Sequence, residues 1–230
     1  DDDPLSETTL HPVNLDQQYQ PQATHDLSWD EEFDVIVVGS GIGLFGALKA
    51  ADAGLSVLVL EKEADIGGTT AISGGGLWIP NNHCMQQIGI DDSADRALTY
   101  LHAITQGRIN TELAAAFVNH CHEVIDLCRA IGIRWEINSQ FNDYYPEFPG
   151  GVRHGRAIIP IHPEGKTTLS RYLLNTIHQA ALDRGAQVWV NSPAKRLVID
   201  DKARVVGVVV EVDGIATNIR ARKGIVLASG

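Results

Sequence analysis

The feature that most constrains the fold of this chain is a glycine cluster placed between two short apolar runs. The first run, residues 33–38, is rich in β-branched side chains and predicts a buried strand that ends at glycine. Small apolar residues over 44–53 predict a helix that stops at Gly54, and residues 55–60 predict a second buried strand. Strand, helix and strand within about 30 residues predict a right-handed βαβ unit with parallel strands.

The glycine cluster has the chemistry of a dinucleotide site. It holds Gly39, Gly41 and Gly43, and glycine lets a pyrophosphate approach backbone N–H groups without meeting a Cβ atom. The N-terminus of the following helix adds unpaired N–H donors and a partial positive charge. Glu61 ends the second strand, where a carboxylate accepts hydrogen bonds from ribose hydroxyls and repels a 2′-phosphate. The pattern therefore predicts a dinucleotide other than NADP.

The spacing of the cluster departs from the G-x-G-x-x-G fingerprint, because the sixth position is Leu44. Gly43 serves as the third glycine only if the motif lacks one residue. Otherwise Gly46 is the residue that allows the helix to pack closely on the strand. A purely structural βαβ turn is the alternative to a dinucleotide site.

A second glycine-rich loop, residues 67–76, indicates which dinucleotide is bound. A nicotinamide domain would continue with further βαβ units, whereas this chain continues into the loop, then helices, then a meander. Hydroxyls for phosphate or flavin come from Thr69, Thr70 and Ser73, and three glycines that let backbone approach a flat ring are Gly74, Gly75 and Gly76. This composition favours FAD over NAD, and a flexible surface loop is the alternative.

The remaining sequence completes an α/β prediction, a Rossmann-like FAD-binding domain with a parallel sheet plus a β-meander. Helices are predicted over 93–106, 111–131 and 168–184, and a third sheet strand over 187–191. The other predicted segments are an irregular stretch over 138–165, a meander over 194–221 with turns at Asp200-Asp201 and Asp213-Gly214, and a final buried strand over 224–230. Residues 1–31 predict a polar arm, and residues 32–230 the FAD-binding domain.

Composition excludes several function classes. Lysine and arginine number 18 against 29 aspartates and glutamates, so a formal net charge of −11 disfavours nucleic-acid binding. No apolar run approaches the roughly 20 residues of a membrane span. The cysteines make no disulfide framework, and a reducing, cytoplasmic location is expected. No metal is expected at His120-Cys121-His122, because adjacent helix residues point apart.

With these motifs in place, the sequence resembles the fumarate reductase/succinate dehydrogenase flavoprotein superfamily. The superfamily resemblance is carried by residues 33–62 and 67–81. Two segments are similar to its 3-ketosteroid dehydrogenase branch in particular, Trp78-Ile79-Pro80 and Asp143-Tyr144-Tyr145-Pro146-Glu147. The resemblance covers residues 33–230.

The resemblance implies a set of FAD contacts. Gly39, Gly41 and Gly43 would lie against the pyrophosphate, and Glu61 would bind the adenosine ribose with Lys62 beside it. The residues implied to line the pyrophosphate, ribityl chain and flavin are Gly68, Thr69, Thr70, Ser73, Gly74 and Gly75. The residues implied at the adenine and the AMP half are Ala194, Ala228 and Gly230. Thr69 stands where succinate dehydrogenases carry the histidine that links covalently to flavin, so non-covalent FAD is expected.

The resemblance also implies a reaction, the 1,2-dehydrogenation of a 3-ketosteroid. A base removes a proton next to the carbonyl, the neighbouring carbon gives hydride to flavin N5, and an external acceptor takes the electrons. Tyr144 resembles the family tyrosine that hydrogen-bonds the catalytic base. The alternative is that Tyr144 and Tyr145 pack a loop rich in proline and glycine. Arg156 and His162 are expected to be surface or loop-structuring residues, with substrate contact as the alternative.

Relatives continue well beyond the position that matches Gly230, where the base, a second tyrosine and a backbone donor would lie. We therefore expect residues 32–230 to be an incomplete FAD-binding domain without the catalytic part. There are two alternatives. Either a second chain completes the enzyme, or the protein is a non-catalytic FAD-binding module. A fumarate-reductase-like flavoprotein is the alternative for the reaction.

Overall fold

The computed structural model describes residues 27–141 and 143–230. Within this part of the chain the strands are β1 (Glu31–Val38), β2 (Val57–Leu60), β3 (Leu77–Trp78), β4 (Trp135–Ile137), β5 (Ala157–Pro160), β6 (Gln187–Trp189), β7 (Ala194–Ile199), β8 (Val205–Val212) and β9 (Ile215–Leu227). The helices are α1 (Gly43–Asp52), α2 (Gly68–Ala71), α3 (His83–Gln87), α4 (Ala94–Ile104), α5 (Thr111–Ala130) and α6 (Leu169–Leu182).

The main sheet combines a parallel half with an antiparallel half. Its six described strands have the order β6-β2-β1-β9-β8-β7. Strands β6, β2 and β1 are parallel to one another and to β9, whereas β7, β8 and β9 form an antiparallel meander. A second, antiparallel sheet has the order β3-β5-β4. The predicted α/β class, with a parallel sheet plus a β-meander, is confirmed.

Apolar side chains on both faces of the parallel strands explain why these strands form the core. All four residues of β2 are buried, as expected for a parallel strand covered on both sides. Helices α1 and α6 cover one face, where Leu48 and Leu174 pack with Val59. On the other face Leu58 packs with Val208 of the meander.

Two segments predicted to be irregular contain short regular elements. The second glycine loop includes α2, because Gly67, with φ of 107°, turns the chain and accepts a hydrogen bond from Ala71 N at 3.1 Å. The irregular stretch over 138–165 contains β5, which pairs with both β3 and β4. Helix α3 is also absent from the sequence prediction; the Asn82 side chain caps it by accepting from Met85 N at 3.1 Å.

The prediction of a separate, buried final strand is wrong. Strand β9 runs without a break from the meander into the parallel sheet, pairing first with β8 and then with β1. Val226 and Leu227 are 41% and 62% exposed, because they lie beyond the part of β9 that β8 covers. The turn at Asp213-Gly214 is confirmed, with φ of 50° and 79° at its two residues.

The polar arm predicted over 1–31 falls largely outside the described residues. Its described end is attached to the sheet. Asp30 N donates to Asn218 O at 2.9 Å, and Asn218 N donates to the Asp30 carboxylate at 2.8 Å. Trp29 packs against Gly207, and β1 begins at Glu31.

Candidate active site

A cleft of about 530 Å³ opens where β1, β2 and β9 end beside the two glycine loops. Ten of the fourteen residues predicted to contact the cofactor line it: Gly39, Gly41, Glu61, Lys62, Gly68, Thr69, Thr70, Ala194, Ala228 and Gly230. The position agrees with the rule that ligands bind at the carboxyl ends of parallel strands. We call this cleft the dinucleotide cleft.

The N-terminus of α1 supplies the donors that an anion needs in this cleft. The first hydrogen bonds at the start of α1 run from Leu44 N to Gly41 O and from Phe45 N to Ile42 O. The N–H groups of Gly41 and Ile42 themselves have no partner among the described residues. Such free N–H groups, with the helix dipole behind them, bind phosphate readily.

Glycine is required where the two glycine loops meet. A Cβ atom on Gly41 would lie 3.0 Å from Thr70 Oγ1 and 3.2 Å from Gly67 O, so a side chain would fill the gap between the loops. Gly39 has φ of 100° and lies against the carbonyl of Ala228. The two glycine loops therefore form a backbone-lined cradle, in which a pyrophosphate can approach without meeting a side chain.

Gly43 is the glycine that allows α1 to pack on the sheet. A Cβ atom there would lie 2.7 Å from Val37 Cγ1 and 3.1 Å from Ala228 Cβ, whereas one on Gly46 would meet nothing within 4 Å. Gly43, and not Gly46, is therefore the residue that takes the packing role of the third glycine in the shortened fingerprint. Gly43 is buried in this packing and is not among the residues that line the cleft, so its implied pyrophosphate contact stays a prediction.

Glu61 holds the two glycine loops together through Ser40. Its Oε2 accepts from the Ser40 N–H at 3.1 Å and from the Ser40 hydroxyl, and its Oε1 accepts from Glu63 N at 3.0 Å. Ser40 Oγ in turn accepts from Gly67 N at 2.8 Å. Burial raises the Glu61 pKa, but the hydrogen bonds from Ser40, Glu63 and Lys62 outweigh burial and lower it, so the carboxylate is ionised.

The Glu61 carboxylate already accepts from Ser40 and Glu63, and its implied contact with the adenosine ribose stays a prediction. The sequence analysis missed Ser40. Serine is common in glycine turns, and nothing in the local pattern indicates that its hydroxyl joins the two loops.

A second cleft, of about 420 Å³, adjoins the second glycine loop. Its lining is mainly aliphatic and aromatic: Gly74, Gly76, Leu77, Trp78, Tyr100, Leu101, Ile104, Asn138, Phe141, Tyr144 and Ala157. None of these described residues carries a charged side chain. Of the predicted site residues, Gly74 and Tyr144 lie here, and Tyr144 is 87% exposed. We call this cleft the apolar cleft.

Ser73 and Gly75 lie in the loop between the clefts and line neither. Ser73 Oγ donates to Thr70 O at 2.8 Å and accepts from Gly75 N at 3.2 Å. A Cβ atom on Gly75, whose φ is 72°, would lie 2.6 Å from Ser170 N. Both residues thus shape the loop and its approach to α6, and their contacts with FAD stay predictions.

Arg156 is buried, which corrects the expectation of a surface residue. Its side chain is fully enclosed and forms ion pairs with Asp92 at 2.7 Å and Asp143 at 2.9 Å. Burial raises the Asp92 pKa, but hydrogen bonds from Arg156 and Asn81 N outweigh burial and lower it. The loop-structuring part of the expectation is confirmed, because Arg156 also donates to Gly150 O at 3.0 Å.

The cysteines and histidines considered for other chemistry lie apart. His120 bonds Glu123 on the exposed side of α5, whereas Cys121 faces the core. Burial raises the pKa of the Cys128 thiol to about 12. In the described ranges no three His, Cys, Asp or Glu side chains are grouped to hold a metal ion. In the same ranges, no helix has the length and apolar character to cross a membrane.

Residues 34–230, which carry both clefts, match the family model described as FAD binding domain. This chain belongs to that FAD-binding family. Among curated relatives, the 3-oxosteroid 1-dehydrogenase of Comamonas testosteroni is 28% identical, over 87% of this chain and 47% of its own length. The 4-oxocyclohexanecarboxylate 2-dehydrogenase of Sinomonas cyclohexanicum is 33% identical, over 86% of this chain and 43% of its own length.

A solved structure shows the same fold. The 3-ketosteroid delta1-dehydrogenase of Sterolibacterium denitrificans, in complex with 1,4-androstadiene-3,17-dione, superposes with a TM-score of 0.79 at 29% identity. The match covers 87% of this chain and 48% of that one. The chain therefore spans about half the length of the relatives it matches. The resemblance read from the sequence and the identity of the cofactor, FAD, are confirmed, while the FAD contacts of single residues stay predictions.

Proposed function

We propose that this chain supplies the FAD site and one wall of the substrate cleft of a flavoprotein dehydrogenase that acts on a 3-ketosteroid. The observation that carries the proposal is the apolar cleft beside the second glycine loop. Gly74 and Gly76 line it, while Thr69 and Thr70 of the same loop line the dinucleotide cleft. A flat ring system bound against this loop would reach from one cleft to the other.

The chain's own residues divide the work of binding and orientation. The N–H groups at the start of α1 hold the pyrophosphate, and Glu61 holds a ribose hydroxyl. Thr69 contacts the cofactor without a covalent bond. The aromatic and aliphatic walls of the apolar cleft exclude water from the reacting carbons. Bound FAD supplies a hydride acceptor, and an external acceptor restores the oxidised form.

Tyr144 has a defined task in this proposal. Removal of a proton next to a ketone by a tyrosine requires its phenolate to be stabilised, because the ordinary pKa of tyrosine is about 10. Tyr144 lines the apolar cleft and is 87% exposed, and in this proposal its hydroxyl donates a hydrogen bond to that base. In this proposal the base is supplied from outside residues 34–230, since this chain spans about half the length of its relatives.

The lining of the apolar cleft favours a neutral ketone over a carboxylate substrate such as fumarate. Binding of a carboxylate calls for arginine, lysine or histidine, and the described lining has none. The Arg156 guanidinium, which lies behind the Trp78 and Tyr100 rings of this lining, is already bonded to two aspartates. The relative from Sinomonas cyclohexanicum is named for a ring ketone with a carboxylate, for which the wall supplied by this chain offers no charged partner.

The test is binding and turnover of 4-androstene-3,17-dione by the FAD-loaded protein in its complete form. We expect a retained flavin spectrum, a change in that spectrum on adding the steroid, and no change on adding fumarate. A protein that keeps FAD, ignores the steroid and binds fumarate would refute the proposal.

The role of Tyr144 is tested by Tyr144→Phe against a matched control, Tyr145→Phe. Tyr145 is the adjacent residue, packs edge-on against Phe148 and is not among the residues lining the apolar cleft. We expect Tyr144→Phe to lower steroid turnover by about 10²-fold, the size of a lost acid–base contribution, with FAD content unchanged. Tyr145→Phe should turn over normally. Equal turnover by the two variants would contradict the assignment.

A further inference from the structure

Three charged side chains meet in the interior between the apolar cleft and the loop that carries Tyr144. We call Arg156, Asp92 and Asp143 the Arg156 network. Arg156 Nε and Nη2 donate to the two oxygens of Asp92 at 2.9 and 2.7 Å, and Nη1 donates to Asp143 at 2.9 Å. All three side chains have no exposed surface.

The network contacts two aromatic walls of the apolar cleft directly. The guanidinium carbon of Arg156 lies 5.5 Å from the ring centroids of both Trp78 and Tyr100, within the range of a cation–π interaction. The two rings stack with centroids 6.2 Å apart. Trp78 Nε1 donates to Asp143 Oδ1 at 2.8 Å, which fixes the rotation of the indole ring.

The network also fixes the backbone next to Tyr144. Asp143 precedes Tyr144, and its carboxylate accepts from Arg156, Trp78 and Val152 N, the last at 2.9 Å. Tyr145 N, on the other side, donates to the Tyr100 hydroxyl at 3.2 Å. Tyr144 is therefore exposed and free to meet a ligand while both of its neighbours are held.

A buried ion pair is poor evidence for stability, because desolvation offsets most of the attraction. Its defined geometry is what distinguishes it from an apolar core. Here that geometry joins three segments distant in sequence: the residue before the α4 cap, strand β3 and the loop of Tyr144.

We propose that Arg156 is a positioning residue for the substrate cleft, which through Asp143 sets the placement of Trp78 and Tyr144 against a flat apolar ligand. This inference rests on the proposed function, since it names the group that shapes the same cleft. It assigns Arg156 no contact with the substrate.

The test compares Arg156→Lys and Asp143→Asn in the complete, FAD-loaded protein. Lysine keeps the charge but lacks the fork that bridges two carboxylates. Asparagine places an amide donor opposite Arg156 or Trp78, both of which are donors. We expect each variant to retain FAD and to raise the Kd for 4-androstene-3,17-dione about tenfold, the size of a lost aromatic contact.

A double-mutant cycle separates positioning from general destabilisation. Trp78→Phe keeps an aromatic ring but removes the N–H that Asp143 holds. We expect Asp143→Asn to raise the Kd much less in the Trp78→Phe background than in the wild type, because the link is already broken. Val208→Ala, in the core of the meander, serves as a control of lowered stability, and we expect its Kd to match the wild type.

Two results would overturn the inference. One is that both network variants bind the steroid with the Kd of the wild type. The other is that Val208→Ala raises this Kd as much as a network variant with the same melting temperature. Wild-type protein that retains FAD and binds no steroid refutes the proposed function itself, and the inference with it. Binding by the wild type, unaffected in the network variants, refutes the inference alone.

Discussion

Replacing Gly43 by alanine adds a single methyl group at the tightest contact between α1 and the sheet. That methyl carbon would lie 2.7 Å from Val37 Cγ1 and 3.1 Å from Ala228 Cβ, well inside the optimal carbon–carbon separation of about 3.5–4.0 Å. Relief requires α1 to move away from β1. Such overpacking of a filled core costs about 1–3 kcal/mol.

The same helix contains its own control. Gly46 is exposed on α1, and a Cβ atom there would meet nothing within 4 Å. Gly46→Ala therefore gains only the helix propensity of alanine over glycine, about 1 kcal/mol. Gly43 is the first residue of α1, so alanine gains less propensity there than at Gly46, and overpacking adds to this gap. We expect Gly43→Ala to be less stable than Gly46→Ala by about 1–3 kcal/mol.

Urea unfolding of the two variants without FAD measures this difference directly. For a chain of this size, each kcal/mol of difference in unfolding free energy corresponds to a difference of about 2–4 °C between the melting temperatures of the two variants. Since the proposed function places the pyrophosphate at the N-terminus of α1, we expect Gly43→Ala also to weaken FAD binding and Gly46→Ala to leave it unchanged. If Gly43→Ala proved as stable as Gly46→Ala, the packing explanation of the shortened glycine motif would be wrong.

Two further predictions concern the link between the glycine loops. Ser40→Ala removes the hydroxyl that donates to Glu61 and accepts from Gly67 N, so the free energy of unfolding should fall by about 2–4 kcal/mol in urea. Ser73→Ala, on the exposed part of the second loop, should change it by less than about 0.5 kcal/mol; equal losses would contradict the role of Ser40. The second prediction is acid sensitivity. Because the pKa values of Glu61 and Asp92 are lowered in the folded protein, their contribution is present above the unfolded values near 4 and is lost as pH falls through the folded ones. Urea unfolding from pH 7 to pH 3 should show this loss, and Ser40→Ala should show less of it. An unfolding free energy that is flat below pH 4 would rule the prediction out.

The βαβ unit and most of the dinucleotide cleft were predictable because their signals are local. A β-branched run, a glycine turn, a helix of small residues and a terminal Glu61 follow one another within about 30 residues. The meander strands were predictable for the same reason, since the turn at Asp213-Gly214 lies between alternating apolar residues.

What the sequence could not reveal depends on contacts between distant segments. Arg156 has its partners 64 and 13 residues away, with no spacing that links them. Whether Gly43 or Gly46 fills the third place of the motif depends on how closely α1 packs on Val37 and Ala228, and no spacing in the sequence gives that distance. The dual pairing of β9 was hidden because Arg222-Lys223-Gly224 reads as a break between two strands.

That dual pairing also fixes the order of events when the chain is synthesised. Glu32 of β1 pairs with Arg220 of β9, and the two residues are 188 positions apart. At ordinary ribosomal rates β1 waits roughly ten to forty seconds for this neighbour, with β2 already available on its other side. During that time an apolar strand presents unpaired N–H and C=O groups along one edge, the template on which strands of other chains add. We therefore expect slow translation before β9 to lower the soluble yield of the chain.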